Sequence, residues 1–319
     1  MRIVFMGSAP LAGISLESLL AAGRDEVAGV VCQPDRPRGR SLKVSACAVK
    51  TRAEAAGVPV LTFEKVNDAA SISALRDLQP DLIVVVAYGQ LLSRAILDLP
   101  PRGCVNLHAS LLPKYRGAAP IQWAIARGET VTGVTSMYMT ERMDAGDMIL
   151  RREVPIGPDD TGGSLHDRLA EAGAATLLDT LDAVRAGQVP RIPQEESQAT
   201  YAPKLCKEDG RICWTWPARE MRDRVRGFHP WPGCFCLVPA EAHLAARGTL
   251  KVLAVRVENM QALGGAVPGQ VIEAGGDGPL VLAADRCVRL TEVQPEGGRA
   301  MPGAAYLRGH PMQAGMILR

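Results

Sequence analysis

Asn106 and His108 stand two residues apart in the run Gly103-Cys104-Val105-Asn106-Leu107-His108, and the turn Ala109-Ser110-Leu111-Leu112-Pro113 follows. If residues 103–108 form a strand, alternate side chains share a face. Asn106 and His108 then lie side by side, and Leu107 points away. A carboxamide donor next to an imidazole can stabilise an oxyanion and move a proton. The plain alternative is an ordinary strand with a capped end, its His serving only the packing.

The elements that must position this pair can be read from the pattern around it. Residues 3–6 read as a buried strand, 7–10 as a turn and 11–22 as a helix with apolar positions at helical spacing. A strand over 26–32, a helix over 46–56, a short strand over 59–61 and a helix over 69–78 follow. Residues 81–87, DLIVVVA, form a continuous β-branched apolar run, the mark of a strand buried on both faces of a parallel sheet. The Asn/His stretch supplies the next strand, 120–127 a helix, 131–139 and 147–156 later strands, and 164–187 a long amphipathic helix. Strand and helix alternate, which predicts an α/β fold with a mostly parallel sheet covered on both faces. In such sheets ligands bind beyond the carboxyl ends of strands, and His108 sits at one. Residues 188–203 are rich in Pro, Gln, Ser and Thr without periodicity and read as a linker. Beyond them, short strands over 249–257, 269–272, 280–282 and 288–290 are separated by Gly, Pro and Asp, which predicts a small C-terminal β-barrel. The expected division is 1–188, a linker over 189–206, and 207–319.

The bulk composition narrows the function classes. The chain has 319 residues, 47% apolar and 22% charged, with a net charge of +2. That balance argues against wholesale nucleic-acid binding and leaves room for a local basic patch. No signal peptide or membrane span is expected, and a cytoplasmic location follows as the default. The eight cysteines are scattered without a CxxC pair, so reduced thiols and no metal centre are expected. Gly7-Ser8-Ala9-Pro10-Leu11 replaces GxGxxG after the first strand. There is no GxxxxGK[ST], no HExxH and no GxSxG, so dinucleotide, P-loop, zinc-protease and nucleophile-elbow chemistries lose ground.

What remains is the Asn/His pair, and its surroundings resemble a known family. Asn106-Leu107-His108-Ala109-Ser110-Leu111-Leu112-Pro113-Lys114-Tyr115-Arg116-Gly117-Ala118-Ala119-Pro120-Ile121 closely resembles the signature of the 10-formyltetrahydrofolate-dependent formyltransferases. Met143-Asp144-Ala145-Gly146-Asp147-Met148 looks like that family's Asp loop. Gln33-Pro34-Asp35-Arg36-Pro37-Arg38-Gly39-Arg40, Thr200-Tyr201-Ala202-Pro203-Lys204 and Pro230-Trp231-Pro232-Gly233 resemble the branch that acts on methionyl-tRNA. The loop departs from that branch at Ser41-Leu42-Lys43, where Gly-Lys-Lys is usual.

The resemblance implies a Rossmann-like catalytic domain followed by an OB-like barrel that assists tRNA binding. It also implies formyl transfer from 10-formyltetrahydrofolate, a co-substrate, to the amino group of initiator methionyl-tRNA. Asn106, His108 and Asp144 would be the catalytic set, with no metal. Asn106 and His108 would hold the oxygen of the tetrahedral intermediate, and Asp144 would orient the imidazole. Ser110, Leu111, Leu112 and Pro113 would shape the folate pocket. Arg36, Arg38, Arg40 and Lys43, four cations within eight residues, would meet the acceptor stem. Lys204, Lys207, Arg211 and the arginines between 219 and 226 could extend that basic track, although Glu220 and Asp223 interleave with them. A monomer is the default. A formyltransferase for an amino sugar nucleotide would share the catalytic set, and the basic loop speaks against it. Two further readings are a formyltetrahydrofolate hydrolase and an inactive folate- or RNA-binding module.

Overall fold

A computed structural model describes residues 1–38, 43–239, 248–260 and 264–319, with residues 36–38 and 43–45 described by their backbone alone. Two compact units are present. The first comprises Met1–Pro120, Val131–Pro155 and His166–Ala202; the second comprises Ile121–Thr130, Ile156–Leu165 and Pro203–Arg319.

In chain order the first unit begins with β1 (Arg2–Gly7), α1 (Pro10–Ala22), β2 (Glu26–Cys32), the short strands β3 (Arg36–Arg38) and β4 (Lys43–Ser45), α2 (Ala48–Ala55), β5 (Val60–Thr62), α3 (Ala69–Asp77), β6 (Leu82–Val86), α4 (Arg94–Leu97), β7 (Cys104–His108) and β8 (Arg116–Gly117). After α5 (Pro120–Ala126) come β9 (Val131–Tyr138), β10 (Met148–Pro155), α6 (Gly162–Ala186) and β11 (Tyr201–Ala202). Its seven-stranded sheet has the order β10-β9-β7-β6-β1-β2-β5. Every residue of β6 is buried, which explains its unbroken apolar run. Val4, Met6, Ile83 and Val85 of the central strands share one core cluster with Leu75 and Ile96 from the helices.

The five strands from β5 to β7 pair in parallel. The next two do not: β9 runs antiparallel to β7, and β10 antiparallel to β9. The parallel alternation expected over 131–156 therefore stops at β7. The connection over 109–130 does not cross the sheet: its first turn is pinned to β9, where Thr135 Oγ1 accepts the Leu112 N–H and donates to the Ser110 carbonyl. The chain re-enters the sheet from the end it left, and His108 pairs with Thr135 near the middle of β9.

The segment read as a linker is built into the first unit. Ile192 bridges Met148, and β11 pairs in parallel with β8. Its lack of periodicity reflects a strap whose residues each meet a different partner.

The second unit continues with α7 (Ala218–Gly227), β12 (Cys234–Val238), β13 (Gly248–Val257), β14 (Val271–Gly275), β15 (Gly278–Leu282), β16 (Cys287–Pro295), β17 (Met301–Pro302) and α8 (Gly303–Gly309). The strands pair antiparallel in the order β12-β13-β16-β15-β14, with β17 on β16. All four expected strands shift in their bounds: 249–257 becomes Gly248–Val257, 269–272 moves to Val271–Gly275, 280–282 begins at Gly278, and 288–290 lengthens to Cys287–Pro295. Both edges of this sheet meet the C-terminal residues. Leu237 of β12 exchanges hydrogen bonds with Arg319, and Val271 of β14 donates to Met316. The backbone groups that an open edge would expose are thereby used, in keeping with a small barrel.

No helix among the described residues is long and apolar enough to cross a membrane. Six cysteines are buried, and only Cys206 and Cys213 are exposed. Burial pushes the thiols of Cys104, Cys234 and Cys236 up to about 12. Iodoacetamide at about pH 8 should therefore modify two thiols in the native protein and all eight after denaturation, as read by intact mass.

Candidate active site

The site lies at the carboxyl end of β7, where the strand's two-residue period sets Asn106 and His108 on one face. Asn106 is half-buried and His108 buried, at 6% exposure. The His108 Nε2–H donates to the Tyr115 carbonyl at 2.8 Å, since a carbonyl oxygen only accepts. Nδ1 faces the Asp144 carboxylate, 3.6 Å from Oδ2. Asn106 Nδ2 lies 3.5 Å from the other oxygen, Oδ1. Both separations exceed a normal hydrogen bond. The three side chains therefore converge, with Asp144 only loosely held by the other two.

Asp144 reaches this position from the β9–β10 loop at some conformational cost. Its φ is 51°, in the left-handed region, which costs an ordinary residue about 1–2 kcal/mol. Several hydrogen bonds hold it there. The Gly117 N–H donates to Oδ2 at 2.8 Å, and Gln194 Nε2 donates to the Asp144 carbonyl at 2.8 Å. Gly146 completes the loop: a Cβ there would lie 1.8 Å from the Tyr138 carbonyl oxygen, so only glycine fits.

The residues that receive His108 and Asp144 are consecutive. The Tyr115 carbonyl takes the imidazole, and the Gly117 N–H holds the carboxylate. Between them, the Arg116 side chain is almost wholly buried, at 1% exposure. Its Nε and Nη2 donate to Gln194 Oε1 at 3.0 and 2.8 Å, and its Nη1 and Nη2 to the two oxygens of Glu196 at 3.1 and 3.2 Å. Burial disfavours the charged guanidinium, but Glu196 and Tyr201 together more than offset this and the group titrates above its ordinary value. The Arg116 hydrogen bond in turn holds the Glu196 carboxyl below the usual range. The strap secures the tripeptide's backbone: the Tyr115 N–H donates to Thr200 Oγ1, and the Arg116 N–H to the Thr200 carbonyl, each at 2.9 Å.

The Ser110-Leu111-Leu112-Pro113 turn leaves β7 on the same side. Ser110 is fully buried, and its hydroxyl donates to the Lys114 carbonyl at 2.6 Å. Thr135 Oγ1 donates to the Ser110 carbonyl and accepts the Leu112 N–H, pinning the turn to β9. The Leu112–Pro113 peptide is cis, and Leu112 packs with Met137 and Met148. Of the four side chains, only Leu111 is half-buried, and the others are taken up by the protein.

Arg36 and Arg38 lie on β3 and Lys43 on β4, with Arg36 opposite Ser45 and Arg38 opposite Lys43 in an antiparallel ladder. Arg40 lies outside the described residues. Three arginines of α7 pair with acids of the same helix. Arg222 and Arg226 pair with Asp223, and Arg224 pairs with Glu220 while stacking 4.2 Å from the Trp216 ring. No cluster of three or more His, Cys, Asp or Glu arranged to hold a metal occurs among the described residues.

Tyr115, Arg116 and Gly117 stand inside the signature string, yet nothing in their spacing marks them as supports for His108 and Asp144. Gln194 and Glu196 had no signal at all, since each sits in an aperiodic polar tract.

A mostly parallel α/β sheet followed by an antiparallel β-rich unit is consistent with the formyl transferase fold. The Formyl transferase family profile matches residues 1–181, and that of the formyl transferase C-terminal domain matches 204–311. A methionyl-tRNA formyltransferase of Moorella thermoacetica is 50% identical over 318 residues, covering 100% of this chain and 99% of its own length. Among solved structures, HypX from Aquifex aeolicus in complex with tetrahydrofolic acid has a TM-score of 0.62 at 19% identity, over 96% of this chain and 47% of that longer one. An N-formyltransferase from Helicobacter canadensis, in complex with folinic acid and dTDP-3-aminofucose, has a TM-score of 0.63 at 15% identity, over 91% of this chain and 99% of its own. These two likenesses carry the fold. The full-length relative carries the family, and the chain belongs to the methionyl-tRNA formyltransferases.

Gly117 gives a direct test of the clamp. Its φ is 117°, and a Cβ there would sit 2.6 Å from the Ala202 carbonyl oxygen. Gly117→Ala should lower stability by more than about 1 kcal/mol in urea unfolding and also depress turnover, because the N–H that holds Asp144 must move.

Proposed function

We propose that this chain transfers the formyl group of 10-formyltetrahydrofolate to the free amino group of methionyl-tRNA. The observation that carries the reading is the convergence of Asn106, His108 and Asp144, in a chain half identical to a methionyl-tRNA formyltransferase over its full length.

The chemistry follows from the three groups. The amine attacks the formyl carbon, and negative charge develops on the formyl oxygen. Asn106 Nδ2, 3.5 Å from its present acceptor, is loosely held and turns to donate to that oxygen. A donor of this kind is worth about 3 kcal/mol in the barrier. His108 Nε2 is committed to Tyr115, so Nδ1 is the nitrogen that serves the reacting atoms. As the imidazolium, His108 donates from Nδ1 to the new oxyanion. Asp144 takes the proton lost by the attacking amine and returns it to the folate N10 as the bond from N10 to the formyl carbon breaks. No covalent intermediate with the protein is needed.

The remaining roles fit this chemistry. Ser110, Leu111, Leu112 and Pro113 form a wall of the folate pocket, with contact falling to Leu111 and the turn's backbone. Arg36, Arg38, Arg40 and Lys43 meet acceptor-stem phosphates, and residues 207–319 assist tRNA binding. The enzyme works as a monomer in the cytoplasm.

The test is a formylation assay with purified protein, 10-formyltetrahydrofolate and either methionyl-tRNA or an amino sugar nucleotide. Formylmethionyl-tRNA should form, and Asp144→Ala should slow its formation by roughly 10²–10⁴-fold. Formylation of the sugar nucleotide alone would overturn the reading.

A further inference from the structure

Gln194 stands outside the catalytic set, yet its carboxamide meets both ends of the local network. Its Oε1 accepts two N–H bonds from Arg116, at 3.0 and 2.8 Å. Its Nε2 donates two, to the carbonyls of Asp144 and Gly146, each at 2.8 Å. A carboxamide offers two donor hydrogens and two acceptor lone pairs, so all four are used. The orientation has a chemical cause. A guanidinium only donates and a carbonyl only accepts, so the amide cannot flip without opposing like groups on both sides. The buried Arg116 charge further polarises the amide and strengthens its donation to the loop. A second tie joins the same two segments: Arg142, two residues before Asp144, pairs with Glu196 at 3.2 Å.

We propose that Gln194, oriented by Arg116, is a positioning residue that holds Asp144 in its left-handed backbone conformation and so fixes the carboxylate against His108. The proposal rests on the catalytic reading given above for Asp144. It makes the strap, which touches none of Asn106, His108 or the Asp144 side chain through Gln194, a determinant of turnover. A misplacement of the carboxylate by about 1 Å is enough to cost up to 10²-fold in rate.

Two variants separate positioning from folding. Gln194→Glu keeps an acceptor for Arg116 and sets an oxygen in place of the amide nitrogen, against two carbonyls. Gln194→Ala removes both functions. In each, kcat for formylation should fall roughly 10- to 100-fold, while KM for both substrates stays within about two-fold. Hydrogen–deuterium exchange should rise in peptides covering residues 141–147 and remain unchanged over β6 and β7. Either variant that folds suffices for the test. A kcat within about two-fold of wild type would overturn the proposal, as would a rate loss accompanied by raised exchange throughout the sheet. If wild-type protein formylates no methionyl-tRNA, the substrate reading fails instead, and the exchange pattern over 141–147 decides the positioning role by itself.

Discussion

The hydrogen bond from His108 Nε2 to the Tyr115 carbonyl determines how the site can work. At 2.8 Å and within a buried setting, it commits one ring nitrogen to the protein's own backbone. It also turns the other nitrogen toward Asp144 and Asn106. Without it the imidazole could present either edge, and the three polar groups would share no common space. Much of the first unit is arranged around this bond. β7 places the ring, the 110–113 turn is pinned to β9 through Thr135, and Tyr115 returns beneath the ring with a φ of 61°.

The same tripeptide serves the carboxylate. Tyr115 and Gly117 hold His108 and Asp144 through their backbones, and Arg116 reaches the Asp144 loop through Gln194. A buried arginine is costly unless paired, and here its charge is balanced by Glu196. Together these contacts offset the left-handed backbone at Asp144 and Tyr115. Strain of this kind persists only where the surroundings over-determine it, and it gathers at sites that do chemistry.

Much of this was legible in the residues. β6 is an unbroken apolar run because both of its faces are buried, and such runs identify themselves. The pairing of Asn106 with His108 follows from the strand period, and the signature string carried the family. Other features were hidden for physical reasons. The reversal at β9 was hidden because an apolar strand reads the same in either direction. The strap has no period because Ile192, Gln194, Glu196 and Thr200 each answer to a different neighbour. The burial of Arg116 depends on Glu196, eighty residues away in sequence, and no local pattern shows it. The interleaving of Glu220 and Asp223 with the α7 arginines was legible, and Arg222, Arg224 and Arg226 pair with those acids.

The tautomer of His108 tests this account most directly. Nitrogen-15 NMR of the histidine side chains, followed across the pH range in which the enzyme is folded, distinguishes a ring nitrogen that keeps its hydrogen from one that gains and loses it. The structure predicts that Nε2 keeps its hydrogen throughout and that Nδ1 alone exchanges its proton. A neutral His108 carrying its hydrogen on Nδ1 would contradict the account, because the Tyr115 carbonyl would then have no donor and the nitrogen assigned to the chemistry would be the wrong one.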